Sequence, residues 1–306
     1  MGGAFASLGS AMCWACASLL FARLGKQTHP AAMNFLKCAI ALLLMMGTMV
    51  AMGASPWPWQ ATTRELGLLA GSGLIGLALG DTAYFQALVR LGPRRTLLLS
   101  ALVPVMTTLM GSLVLDEPIT NSLLLGMTLT VGGVVWVIRE RRLPAAPEPG
   151  GLSEAEIRQS EKIGLGFALL AALCQSSGQL LTRSASADLS AMELSIVRLA
   201  AGVVGIMVQL VILRKIAAVA TPFRHSHPAI TLLIATFLGT YCGVWLMNYG
   251  LQNLPVGVAS TLNSTSPIFI LPLSALVLGE KVSPRAIFGA IVAVAGIAVL
   301  ALGAAP

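Results

Sequence analysis

Asp81 lies deep within an apolar stretch, with Tyr84 and Phe85 one helical turn further along the same face. An aspartate at the centre of a membrane helix costs roughly 2.5–3.5 kcal/mol on insertion scales, so it requires a partner, water or a proton. Three chemistries suit it: a proton-coupling carboxyl, a counter-charge for a cationic solute group, and a structural partner for Lys37 or Arg198. Other polar groups occur at helical spacing in equally apolar surroundings. Tyr241, Trp245, Asn248 and Gln252 recur at i, i+4, i+7 and i+11, which predicts one polar and aromatic helix face. Gln175 and Gln179 stand one turn apart with Ser176 beside them, and Ser260, Asn263 and Ser264 cluster further on. One such cluster is ordinary interhelical glue worth ~1 kcal/mol, but several together predict a polar cavity for a small solute.

Two prolines supply another kind of group. Pro104 and Pro267 fall near the middle of apolar segments, where each removes the hydrogen bond to the carbonyl four residues back. Those carbonyls belong to Ser100 and Asn263. Freed carbonyls beside polar side chains suit a midplane binding site, while the plainer alternative is a packing kink. The expected solute-binding set is therefore Asp81, Tyr84, Ser100, Gln175, Gln179, Tyr241, Trp245, Asn248 and Asn263, with Pro104 and Pro267 as kinks.

Covalent chemistry finds less support. His29, His225 and His227 lie between apolar segments, there is no His-Glu-x-x-His or Gly-x-Ser-x-Gly, and Asp81 has no second deep carboxylate. No metal or cofactor is called for. The five cysteines sit within apolar segments and read as small buried hydrophobes, although Cys13 and Cys16 have redox-motif spacing.

These groups must be positioned by membrane helices. Hydrophobic residues make up 56% of the 306 and charged ones only 10%, against about 25% in soluble domains. The mean hydropathy is +0.85. Ten stretches are long enough to cross a ~30 Å hydrocarbon core: 3–24, 31–52, 66–89, 95–115, 120–138, 162–182, 190–213, 228–250, 256–278 and 284–303. Lipid offers no partner for backbone groups, so each is expected to be a helix. The first stretch has no basic residue before Arg23 and is too long for a signal-peptide core, so it reads as the first membrane helix. Trp57, Trp59 and Trp136, near segment ends, read as interface anchors.

The segments are duplicated. At an offset of 163, Gly80, Leu88, Leu91, Pro104, Gly126 and Gly133 match Gly243, Leu251, Leu254, Pro267, Gly289 and Gly296. The run Leu113-Val114-Leu115 and Glu117 match Leu276-Val277-Leu278 and Glu280, the two glutamates being turn residues. At an offset of 161 the front of each half aligns: Gly3 with Gly164, Cys13 with Cys174, Lys37 with Arg198. Each half is then five helices, and an odd number makes the second copy enter the membrane from the opposite side. Loop charges agree. Arg23, Lys26, Arg90, Arg94 and Arg95 decorate loops whose counterparts in the second half hold only Arg183. The bias reverses at Arg214, Lys215, Arg224, Lys281 and Arg285, whose counterparts hold only Arg64.

The string Gly80-Asp81-Thr82-Ala83-Tyr84-Phe85-Gln86-Ala87-Leu88, the Pro104 and Glu117 pattern and Leu278-Gly279-Glu280-Lys281 resemble the EamA domain of the drug/metabolite transporter superfamily. The resemblance covers both halves. It implies a ten-helix secondary transporter, commonly an exporter, of amino acids, other metabolites or drugs. Such proteins are drawn with both termini cytoplasmic, whereas the positive-inside rule applied to these loops puts both termini outside, so the side stays open.

The expected architecture is an all-α integral membrane protein of the cell membrane, with ten transmembrane helices as two inverted five-helix repeats. Residues 1–139 form the first repeat, 140–161 a polar Pro- and Gly-containing linker, and 162–306 the second. Within the linker, Ser153 and Glu156 have capping-box spacing, and Gly76 with Gly80 forms a close-packing surface. Lys37 and Arg198 lie about two turns from segment ends, within reach of the interface by snorkelling. The partners expected are the lipid bilayer and a small-molecule substrate moved by alternating access, with proton coupling through Asp81 as one option. A passive facilitator is the alternative, and an intramembrane enzyme a weaker one. The net charge of +7 follows loop topology and shows no aromatic-laced basic patch for nucleic acid. Oligomeric state is not legible.

Overall fold

The computed structural model describes residues 2–25, 27–115, 120–138, 153–185, 189–224, 226–253, 262–278 and 283–303. Among these residues the regular structure is wholly helical. The first half comprises α1 (Gly2–Leu24), α2 (Pro30–Ala51), α3 (Thr63–Ser72), a π-helical segment Gly73–Asp81, α4 (Thr82–Leu91), α5 (Pro93–Ser100), α6 (Leu102–Leu115) and α7 (Asn121–Ile138). The second comprises α8 (Glu154–Ala185), α9 (Ala191–Ile212), a 3₁₀ segment Ile216–Arg224, α10 (Ser226–Thr236), a π-helical segment Phe237–Cys242, α11 (Gly243–Asn253), α12 (Ser266–Leu278) and α13 (Pro284–Gly303). Six helices are long and apolar enough to cross a membrane, and Leu124–Gly133, Ser266–Leu276 and Ile287–Val299 form shorter apolar helices. The chain is a multi-pass, all-helical membrane protein.

Helix starts follow from local chemistry. Thr62 with Glu65, Ser153 with Glu156, and Ser190 with Glu193 form reciprocal capping boxes that satisfy orphan N–H groups. The box at Ser153 starts α8 ahead of its apolar stretch, inside the polar linker. His29, which is the repeat equivalent of Ser190, caps α2 by accepting from the Ala31 N–H at 3.3 Å, with Pro30 in the first turn. Gly92, at φ 80°, turns the chain between α4 and α5, a conformation that favours glycine.

Two irregularities recur at the same place in both halves. The α5–α6 rod is broken at Ala101, and Pro104 falls in the first turn of α6. Its counterpart has a turn at Ser264 and Thr265, with Pro267 in the first turn of α12. A proline tolerates a helix start far better than a helix interior, so each break sits just ahead of its proline. The two π segments are equivalent as well: Phe237–Cys242 matches residues 74–79 within Gly73–Asp81. Glu117, Glu280, Ser260 and most of the linker lie outside the described residues.

Packing between halves is reciprocal. A Cβ on Gly133 of α7 would lie 2.5 Å from Ala293 N of α13, and one on Gly296 of α13 would strike Thr130 of α7. At the π segment of the first half, a Cβ on Gly76 would lie 3.6 Å from Gly178 Cα of α8. In the second half, a Cβ on Gly239 would meet Ala17 of α1. Gly239 is the equivalent of Gly76, and Ala17 of Gly178. Small residues thus let backbones of opposite halves approach, as membrane helices require when lipid supplies no hydrophobic drive. The outer surface is apolar in both copies: Leu113 and its equivalent Leu276 are 82% and 85% exposed. Trp59 and Trp136 are exposed too, whereas Trp57 is partly buried against core clusters from both halves.

Candidate functional site

Between the halves lies a cavity of about 160 Å³. An apolar cavity of ~150 Å³ is enough to bind benzene, so this one admits a small organic solute. Its lining is largely repeat-equivalent pairs: Trp14 with Gln175, Lys37 with Arg198, Asp81 with Val244, Tyr84 with Met247, and Ser100 with Asn263.

The π segments explain how helical backbone comes to line it. A π turn leaves carbonyls out of the ordinary ladder, and those of Gly73–Asp81 are taken up by amide side chains. Gln175 Nε2 donates to Gly76 O at 3.3 Å, Asn34 Nδ2 to Leu77 O at 2.8 Å, and Gln209 Nε2 to Ala78 O at 2.9 Å. In the second half Ser10 Oγ donates to Gly243 O at 2.8 Å. Asn34, Gln209 and Ser10 were not anticipated. Their signal was an isolated polar residue in an apolar segment, but nothing in the sequence says that a carbonyl on another helix is free.

Asp81 closes the π segment and is 2% exposed. Lys37 Nζ forms an ion pair with its Oδ2, and Gln175 Nε2 donates to its Oδ1. The Lys37 ammonium also lies 5.8 Å from the Trp14 ring and 5.4 Å from the Phe85 ring, close enough for cation–π attraction. Tyr84 shares a 2.8 Å hydrogen bond with Ser18 Oγ and packs its ring 5.6 Å from that of Trp14. Of the three chemistries open to Asp81, the ion pair with Lys37 is the one formed in this conformation. Snorkelling is overturned: Lys37 and Arg198 are 1% and 6% exposed and face the cavity, not the membrane surface. Helix packing around α2 and α9 closes the route outward, and ion pairing compensates Lys37.

Of the expected binding residues, Asp81, Tyr84, Ser100, Gln175, Gln179 and Asn263 line the cavity. Of the stripe Tyr241–Trp245–Asn248–Gln252, neither Tyr241 nor Trp245 lines it. Tyr241 stacks on Phe237 at 5.3 Å and shares a 2.7 Å hydrogen bond with Thr48, while Trp245 is 45% exposed on the outer surface. The side chains of Asn248 and Gln252 lie outside the described residues. Thr240, Val244 and Met247 line the cavity instead, the same spacing one residue earlier. Spacing fixes which residues share a helix face, not which face turns inward, and here Tyr241 is held by Phe237 and Thr48 instead. Trp14, Lys37 and Arg198 are lining residues that the sequence did not single out as binding groups.

Known proteins agree with this architecture. A solved crystal structure of a protein matches 98% of this chain and 97% of its own, with a TM-score of 0.67 at 16% identity, which shows a shared fold. A curated relative, named as a probable terminal-alkyne amino-acid exporter of Streptantibioticus cattleyicolor, is 37% identical over 81 residues. That match spans 26% of this chain and 27% of the relative. The profile of the EamA-like transporter family matches residues 1–139 and 162–302, nearly all of both halves. The chain belongs to the EamA-like transporter family.

Proposed function

We propose that the protein is a ten-helix secondary transporter of the cell membrane, built as two inverted five-helix repeats, that exports a small amino-acid-like metabolite by alternating access. The observation that carries this reading is the cavity between the halves, lined by repeat-equivalent pairs and bordered by the two broken helices and the two π segments. A pseudo-symmetric site can open to either side by the same motion executed in one half or the other. Opposed loop charges and reciprocal glycine contacts support the inversion. The relative named as an amino-acid exporter supports the solute class and the direction. In this reading Trp14, Tyr84, Gln175, Gln179, Ser100 and Asn263 hold the solute by ring contact and hydrogen bonds.

The test is flux of individual labelled amino acids in proteoliposomes. One or more should move with saturation, and Asn263→Ala and Gln179→Ala should each slow that flux at least tenfold. Saturable flux untouched by both changes would remove the cavity assignment, and linear flux would make the protein a passive facilitator. Asp81 is the carboxylate among the described lining residues, so proton coupling is assigned to it. Asp81→Asn should abolish the response to an imposed pH gradient; a retained response takes Asp81 off the proton path.

A further inference from the structure

Lys37 and Arg198 are repeat equivalents, both buried and both on the cavity wall, yet their surroundings differ. Lys37 meets Asp81. Arg198 has no such neighbour from its own half, where the position equivalent to Asp81 is Val244. Among the described residues Arg198 forms no ion pair, and its Nε is buried without a hydrogen-bond partner. Asp81 is already engaged by Lys37 and Gln175. The described lining therefore carries two cations against one carboxylate, an excess of one positive charge. A guanidinium is always charged in proteins and presents its donors as a planar fork that matches a carboxylate.

We propose that Arg198 is the anchor for a carboxylate on the transported solute, the solute supplying in the second half the negative charge that Asp81 supplies in the first. The inference rests on the transport reading and narrows its substrate class to compact solutes bearing one carboxylate. Thr240, whose buried hydroxyl has no hydrogen-bond partner among the described residues, stands on the same cavity wall and can donate to the second carboxylate oxygen. Asn263 and Gln179 remain for the polar remainder of the solute. A dianionic phosphate would exceed the single positive charge available. An amide or ester of the same solute would leave the guanidinium without its counter-charge, so the site discriminates acids from their neutral derivatives.

The experiment measures thermal stability of the purified protein in detergent with each proteinogenic amino acid, its carboxamide, inorganic phosphate or chloride. At least one free acid should raise the Tm by several degrees, and its carboxamide should not. Arg198→Gln should abolish that shift, and Arg198→Lys should weaken it at least tenfold in apparent affinity. Val244→Asp tests the same point without removing the arginine. It installs the carboxylate that the first half already has, so the baseline Tm should hold or rise while the response to the acid disappears. Equal shifts with acid and carboxamide, an acid response surviving both Arg198→Gln and Val244→Asp, stabilisation by phosphate or chloride alone, or no response to any acid would each overturn the assignment. Flux in proteoliposomes separates this from the transport reading. Saturable flux that treats acid and carboxamide alike sinks the anchor and leaves transport standing. Arg198-dependent binding with no flux does the reverse.

Discussion

The two halves share a frame and differ in what they line it with. Gly133 and Gly296 make the same backbone contact from opposite sides, the breaks before Pro104 and Pro267 coincide, and the π segments coincide. At the cavity wall the pairing dissolves: Asp81 stands opposite Val244, Tyr84 opposite Met247, and Trp14 opposite Gln175. Positions where backbones touch tolerate one size of residue, because an added methyl has nowhere to go. Positions facing a cavity tolerate any residue whose charge and hydrogen bonds can be met. The asymmetry places an internal ion pair in one half and, in the other, an arginine with no ion pair among the described residues.

Making the first half resemble the second is the severest way to break that contrast. Asp81→Val strips Lys37 of its buried carboxylate, and removing one partner of a buried pair costs about 3–5 kcal/mol. A collapse of Tm in detergent is expected, with recovery in the double variant Lys37→Met, Asp81→Val; an unchanged Tm for Asp81→Val alone would show that the pair is not sustaining the fold. The shared frame should instead respond equally in both halves. Gly133→Ala and Gly296→Ala each force a methyl into facing backbone, so each should lower stability by about 1–3 kcal/mol, whereas Gly132→Ala, which meets nothing within 4 Å, should be silent. Unequal losses at the two positions would count against the reciprocal α7–α13 contact.

A subtler comparison concerns Gln209 and its equivalent Thr48. The first donates to Ala78 O, and the second bonds the Tyr241 hydroxyl, Tyr241 being the equivalent of Ala78. Gln209→Ala should cost ~1 kcal/mol by leaving a π-segment carbonyl unmet, and Thr48→Ala less, because a tyrosine hydroxyl can turn to another partner. Denaturation in mixed micelles would resolve the two. The smallest effect belongs to Trp245→Ala: with its ring on the outer surface, transport should stay within about twofold of wild type, given that exposed substitutions usually change stability by under ~0.5 kcal/mol. A flux loss as large as that of Asn263→Ala would return Trp245 to the cavity.

Much of the architecture was legible in the residues. The apolar segments, the capping box at Ser153 and the disturbance at each proline could be read from local pattern, because each depends on neighbours within a few positions, and the two offsets from comparing the chain with itself. The binding set was legible only in part. Gln175, Gln179, Ser100 and Asn263 reach the cavity, as the clustering of polar groups in apolar segments predicted. Tyr241 and Trp245 miss it because the face one residue earlier, Thr240, Val244 and Met247, is the one turned to the cavity, and spacing does not say which face looks inward.

Composition and hydrophobic spacing by themselves determined that this chain is a bundle of membrane helices in two related halves, since a lipid solvent leaves an apolar backbone no alternative. Charge type by itself determined that Asp81, Lys37 and Arg198 would need company wherever they were buried. Tertiary structure alone decided which of them has it. An ion pair depends on distance in space between α2 and the end of a π segment, and its absence at Arg198 among the described residues depends on what α11 brings beside α9. Neither distance is written in the order of residues along the chain.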